Sequence, residues 1–117
     1  FGRQAIKCCL PIRNQKEEIL IYHSSQGMYV PLKAIDTQFI DELANEIILF
    51  DTKHEGDIDR FDWLIPEAMP FPLNKIIVSG GVGPETTRIA RSKEITSVLI
   101  DNKVLHKEYS TMGLKNA

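Results

Sequence analysis

Cysteine is scarce in this chain. There are two in 117 residues, adjacent at Cys8 and Cys9. Neighbouring residues of a strand point to opposite faces, so this pair does not suit a disulfide. The expected role is two small buried side chains in a reducing, cytoplasmic protein. Only three histidines occur, His23, His54 and His106, and they lack the spacing of zinc ligands. No metal and no cofactor is expected. Long apolar runs are missing too. The longest, such as Ile47 to Phe50, are far shorter than a membrane-spanning helix. The first residues do not read as a charged segment followed by a long apolar one, so no signal peptide is expected. A basic block is also absent. Fourteen Lys and Arg against sixteen Asp and Glu give a net charge of -2. Without clustered cations, a nucleic-acid partner is not expected. The composition, 43% hydrophobic and 26% charged, is that of a soluble globular domain.

The hydrophobic pattern predicts alternating strands and helices. Ala5 to Arg13 reads as a buried strand, with Pro11 near its exit. Glu18 to His23 and Met28 to Leu32 are short β-like runs joined by Ser24–Ser25–Gln26–Gly27, a hairpin pattern. From Ala34 to Ala44, Ile35, Phe39, Ile40 and Leu43 share one helical face. Glu46 to Thr52 is a second strand, and Phe61 to Ala68 a short helix before the proline-rich stretch 66–72. Lys75 to Ser79 is a third strand. A helix over Pro84 to Lys93 follows, since proline suits the first helical position. Ser97 to Ile100 is a fourth strand, and the tail from Gly113 reads as frayed. Continuous apolar strands alternating with helices indicate a parallel sheet in one α/β domain or part of one.

Two segments have the residue types for chemistry. Ile76 to Pro84 is a strand that ends in glycines and turns into a helix. Glycines permit close backbone approach, and helix N–H groups attract anions, so phosphate is the natural guest. The spacing is neither GxGxxG nor a P-loop. A tight turn that binds nothing reads equally well. The second segment is Asp51–Thr52–Lys53–His54–Glu55–Gly56–Asp57, charged and directly after a strand. In parallel α/β folds sites form at such strand ends. Glu55 is the candidate general acid or base, with Lys53 or His54 tuning it. The competing reading is a solvated loop. Phe61 and Trp63 read as packing groups.

Five stretches in order resemble the HisF family, the cyclase subunits of imidazole glycerol phosphate synthase. Phe1–Gly2–Arg3–Gln4 is similar to the family's FGSQ lead-in to its fifth strand. Glu46 to Leu49 followed by Lys53 to Asp57 resembles EILL…DRDGT, and Asp62 falls at the Asp of GYD. Lys75 to Gly83 (KIIVSGGVG) is similar to PVIASGGVG, and His106 to Tyr109 to HFGEY. The likeness covers roughly residues 1 to 110. It implies a (β/α)8 TIM-barrel type of fold, of which residues 1–117 would be the C-terminal half: four βα units, strands five to eight. The chain would then be a fragment whose N-terminal half lies in the same chain or a second subunit.

The resemblance further implies a lyase of histidine biosynthesis that takes ammonia from a HisH-like glutaminase and forms imidazole glycerol phosphate. The substrate would be a phosphorylated small molecule. Ser79, Gly80 and Gly81 would hold its phosphate, with Asn102 adding a hydrogen bond, while Glu55 keeps a carboxylate near the second Asp of DRDGT. The sequence departs from the family at Pro11, where a catalytic Asp belongs. Lys53 and Asp57 also replace the first Asp and the Thr of DRDGT. Two alternatives therefore stand beside the cyclase. One is a HisF-like paralogue aminating a sugar for surface polysaccharide. The other is a catalytically inactive phosphate-binding half-barrel.

Overall fold

Burial with a period of two builds the sheet. Strand β4, Glu46–Asp51, buries Ile47, Leu49 and Asp51 and leaves Ile48 and Phe50 half-buried. Strand β1, Lys7–Gln15, buries Leu10 and Ile12 in the same phase. The computed structural model describes residues 6–95 and 97–99. In it the sheet has six strands in the order β3-β2-β1-β4-β5-β6. Here β2 is Glu18–His23, β3 is Met28–Pro31, β5 is Ile76–Ser79 and β6 is Ser97–Leu99.

Strands β1, β4, β5 and β6 are parallel neighbours in unbroken chain order. Right-handed crossovers in such an order put every connecting segment on one face. Burial follows that rule. Leu10, Ile12, Ile47, Leu49, Ile76 and Val78 pack with Phe61, Ile65, Met69, Phe71, Val82 and Ala90 from the connections. The register places Cys9, Pro11, Ile48, Phe50, Ile77, Ser79 and Leu99 together on the opposite face. None of these belongs to the core cluster.

Antiparallel β2 and β3 extend the sheet beyond β1. Only Lys16 and Glu17 link β1 to β2, both at positive φ (51° and 65°). That is the backbone a two-residue hairpin needs. The β2–β3 turn is where sequence reading puts it and ends in Gly27 at φ 66°. The Tyr29 hydroxyl of β3 donates to Thr52 Oγ1 at 2.9 Å, since the Thr52 hydroxyl hydrogen is used elsewhere. Thr52 in turn bonds the Ile12 carbonyl through its N–H and its hydroxyl, at 3.0 and 3.1 Å. The hairpin is thereby tied to the exit of β4 across the end of β1.

Among the described residues three α-helices fill the connections: α1 (Thr37–Leu43), α2 (Leu64–Ala68) and α3 (Pro84–Ser92). Helix α1 starts at Asp36, whose side chain accepts from Phe39 N at 3.0 Å. It is shorter than the helix expected over 34–44, and its apolar stripe is split. Ile35 and Ile40 pack on the core, but Phe39 and Leu43 are 58% and 51% exposed. The cysteines also differ from expectation. Both are free, but Cys8 is half-buried and Cys9 exposed, because Cys9 lies on the face that carries no helix among the described residues. Phe61 and Trp63 do pack, edge to face at 4.9 Å between ring centres. Among the described residues no helix is long and apolar enough to cross a membrane.

Candidate functional site

The C-terminal ends of β4 and β5 carry the two segments singled out by sequence, and the fold presses them together. Gly80 and Gly81 follow β5 with φ of 86° and 75°. A Cβ on Gly80 would meet the Asp51 carbonyl oxygen at 2.3 Å. One on Gly81 would meet Phe61 N at 2.7 Å and His54 Cβ at 3.0 Å. The Gly81 carbonyl also accepts from Phe61 N at 3.0 Å. Both glycines are thus required by contact with the β4 exit loop, as well as by their backbone angles.

Asp51 organises that loop. It is 1% exposed, yet accepts three hydrogen bonds. Lys53 N reaches Oδ1 at 3.2 Å and Asp62 N reaches Oδ2 at 3.0 Å. His54 Nδ1 lies 2.7 Å from Oδ2. A carboxylate receiving backbone donors acts as an ionised acceptor, so the imidazole hydrogen sits on Nδ1. The His54 side chain is 26% exposed, and its Nε2 has no hydrogen bond among the described residues. Asp62 continues the network. Its Oδ2 accepts from Asn14 Nδ2 at 2.8 Å and its Oδ1 from Leu64 N at 3.0 Å. Asn14 Oδ1 is buried without a partner. On the other side of the rim, the Arg13 guanidinium stacks 4.3 Å over the Tyr29 ring.

The start of α3 is already taken. Asp59 Oδ1 accepts from Thr86 N and from Thr86 Oγ1, both at 2.8 Å. A carboxylate from the β4 loop therefore sits where helix N–H groups and dipole favour an anion. One turn on, Arg88 donates to Glu85 and holds that carboxyl below its usual range.

The residues picked from sequence are distributed unevenly. Ser79 is half-buried and Gly80 and Gly81 are buried, side by side at the end of β5. Glu55 is exposed, with no hydrogen bond or ion pair among the described residues, so nothing orients it. His54 pairs with Asp51 instead of tuning Glu55. Pro11 is half-buried on the helix-free face, opposite Phe50. Asn102, together with residues 1–5 and the closing stretch at His106, lies outside the described residues. No group of three or more His, Cys, Asp or Glu positioned for a metal occurs among the described residues. Sequence reading set Asp51 in the charged segment and Asp62 at a family position without giving either a role, and it passed over Asp59. Asp51 was legible as an acid ending a buried strand, whereas the partners of Asp59 and Asp62 lie remote in sequence.

Comparison with known proteins returns no match, either among models of protein families or among curated proteins. The site therefore has to be read from its own geometry.

Proposed function

We propose that the chain is the C-terminal half of a HisF-like (β/α)8 barrel. In this reading it contributes to the cyclase subunit of a cytoplasmic imidazole glycerol phosphate synthase. The observation that carries this reading is the strand arrangement: four parallel strands in chain order, with the glycine turn and the charged loop meeting at their C-terminal ends. Sites of (β/α)8 enzymes form at that end. A helix-free apolar face is also what the inner wall of half a barrel presents. The substrate phosphate would rest on Ser79, Gly80 and Gly81, with Asn102 contributing from beyond β6. The N-terminal half and a HisH-like glutaminase would supply the remaining acid and the ammonia. The test is growth of a histidine auxotroph carrying the whole gene. Growth without histidine supports the cyclase, and failure to grow with the protein soluble and folded sinks it.

A second reading, a paralogue that aminates a sugar, is favoured by Pro11. Its ring cannot transfer a proton, and neither neighbour, Leu10 nor Ile12, titrates. Ammonia-dependent amination of a sugar phosphate, without growth of the auxotroph, would select it. An inactive phosphate-binding half-barrel is favoured by Glu55, the candidate acid, which is exposed and has no hydrogen bond or ion pair among the described residues to orient it. Absence of turnover with either substrate class, in the presence of phosphate binding, would select that one.

A further inference from the structure

We infer that His54 is a proton-transfer residue and that Asp51 is its positioning residue. Three observations carry the assignment. The carboxylate of Asp51 is buried and lies 2.7 Å from Nδ1, which fixes both the ring and its tautomer. The opposite nitrogen, Nε2, is left without a hydrogen bond among the described residues, on a side chain that keeps 26% of its surface exposed. The His54 Cβ lies against Gly81, at 3.0 Å from where a side chain there would begin. The root of the His54 side chain therefore adjoins the turn at the C-terminal end of the parallel strands. An acid–base residue there would take over the role for which Pro11 is unsuited.

The substrate class is a phosphorylated polyhydroxy compound with its phosphate on the glycine turn. In the neutral ring, Nδ1–H stays on Asp51 and the Nε2 lone pair accepts a proton from a substrate O–H or N–H. The bonding electron pair remains on that substrate atom. The imidazolium formed sits beside the Asp51 carboxylate and returns the proton from Nε2 to another oxygen or nitrogen of the same substrate, so the proton is relocated and the ring ends as it began. This placement of the substrate rests on the phosphate reading above, whereas the pairing of His54 with Asp51 does not.

The test is nitrogen-detected NMR of the histidine rings in the isotope-labelled chain, at about pH 8.5, where ordinary imidazole is neutral. The wild type is expected to show His54 as the Nδ1–H tautomer. In Asp51→Asn the amide can donate to the ring, so His54 is expected to turn to Nε2–H. His23, whose Nδ1 lies 2.9 Å from Ser25 Oγ, serves as the control that does not respond. Inorganic phosphate is then titrated into the wild type. The Gly81 amide and the His54 ring are expected to shift together, with one saturation curve. An Nε2–H ring in the wild type overturns the inference, and that measurement needs no variant to fold. A Gly81 response with a silent His54 overturns it as well. If both stay silent, the phosphate reading of the turn fails and the substrate-facing role of His54 fails with it. If the NMR results hold but the auxotroph does not grow, the cyclase reading is lost and the His54–Asp51 assignment stands.

Discussion

Gly80 shows how narrowly a single position is specified. Its φ of 86° strains any side chain, and a Cβ would overlap the Asp51 carbonyl at 2.3 Å. Because the obstacle is backbone, no rotamer change relieves it. Gly80→Ala is expected to cost about 3 kcal/mol, read as a lower midpoint in urea unfolding. A loss under 1 kcal/mol would mean the two loops are not in contact. The cysteines permit a prediction about pH. Burial pushes the half-buried Cys8 thiol up. A raised thiol contributes stability that is fully present below the unfolded thiol range. That stability is lost as pH rises through the folded range. Alkylation of Cys8 by iodoacetamide near neutral pH should accordingly be slower than that of free cysteine and accelerate in urea. Equal rates in both conditions would contradict the burial.

At the scale of elements, the strands were legible because burial on a sheet has a period of two. Ile47, Leu49 and Asp51 alternate with Ile48 and Phe50. The β2–β3 hairpin was legible through Gly27. The β1–β2 turn carried no such signal, since Lys16 and Glu17 adopt positive φ without glycine or asparagine. Register and sheet pairing on both sides impose that backbone against local preference. Replacing the pair with Asn-Gly should therefore raise stability by about 1 kcal/mol, measured by denaturant unfolding. No gain would mean that the turn is less tight than its register implies. Helix α1 misled in the other direction. The spacing of Ile35, Phe39, Ile40 and Leu43 is helical, but seven residues give too little length for the whole stripe to reach the sheet. In the site, local reading found both loops and missed their wiring. The bond from Asp59 to Thr86 spans 27 positions and that from Asn14 to Asp62 spans 48. No pattern within a short window encodes contacts of that range. Glu55 stood out as a central acid in a charged stretch, whereas Asp51, at the strand end, is the one that is held.

Across the whole molecule, the two faces of the sheet should differ in what they contribute. Leu49, fully buried among the helix-side residues, is expected to lose about 3 kcal/mol on truncation to Ala. Ile48, next to it but half-buried on the helix-free face, should lose only about 1 kcal/mol. Similar losses at both positions would mean that a second layer covers that face in solution.

The neck formed at Asp51 has a practical consequence. Its carboxylate gathers the backbone N–H groups of Lys53 and Asp62, closing a span of 11 residues at its base. Glu55, Asp57 and Ile58, at the outer bend, are exposed. A segment clamped at its ends and exposed at its tip accepts inserted peptide at a closure cost that grows only with the logarithm of length. The bend between Gly56 and Asp57 is thus the natural position to graft an epitope or a reporter, with the sheet below serving as an unaltered handle.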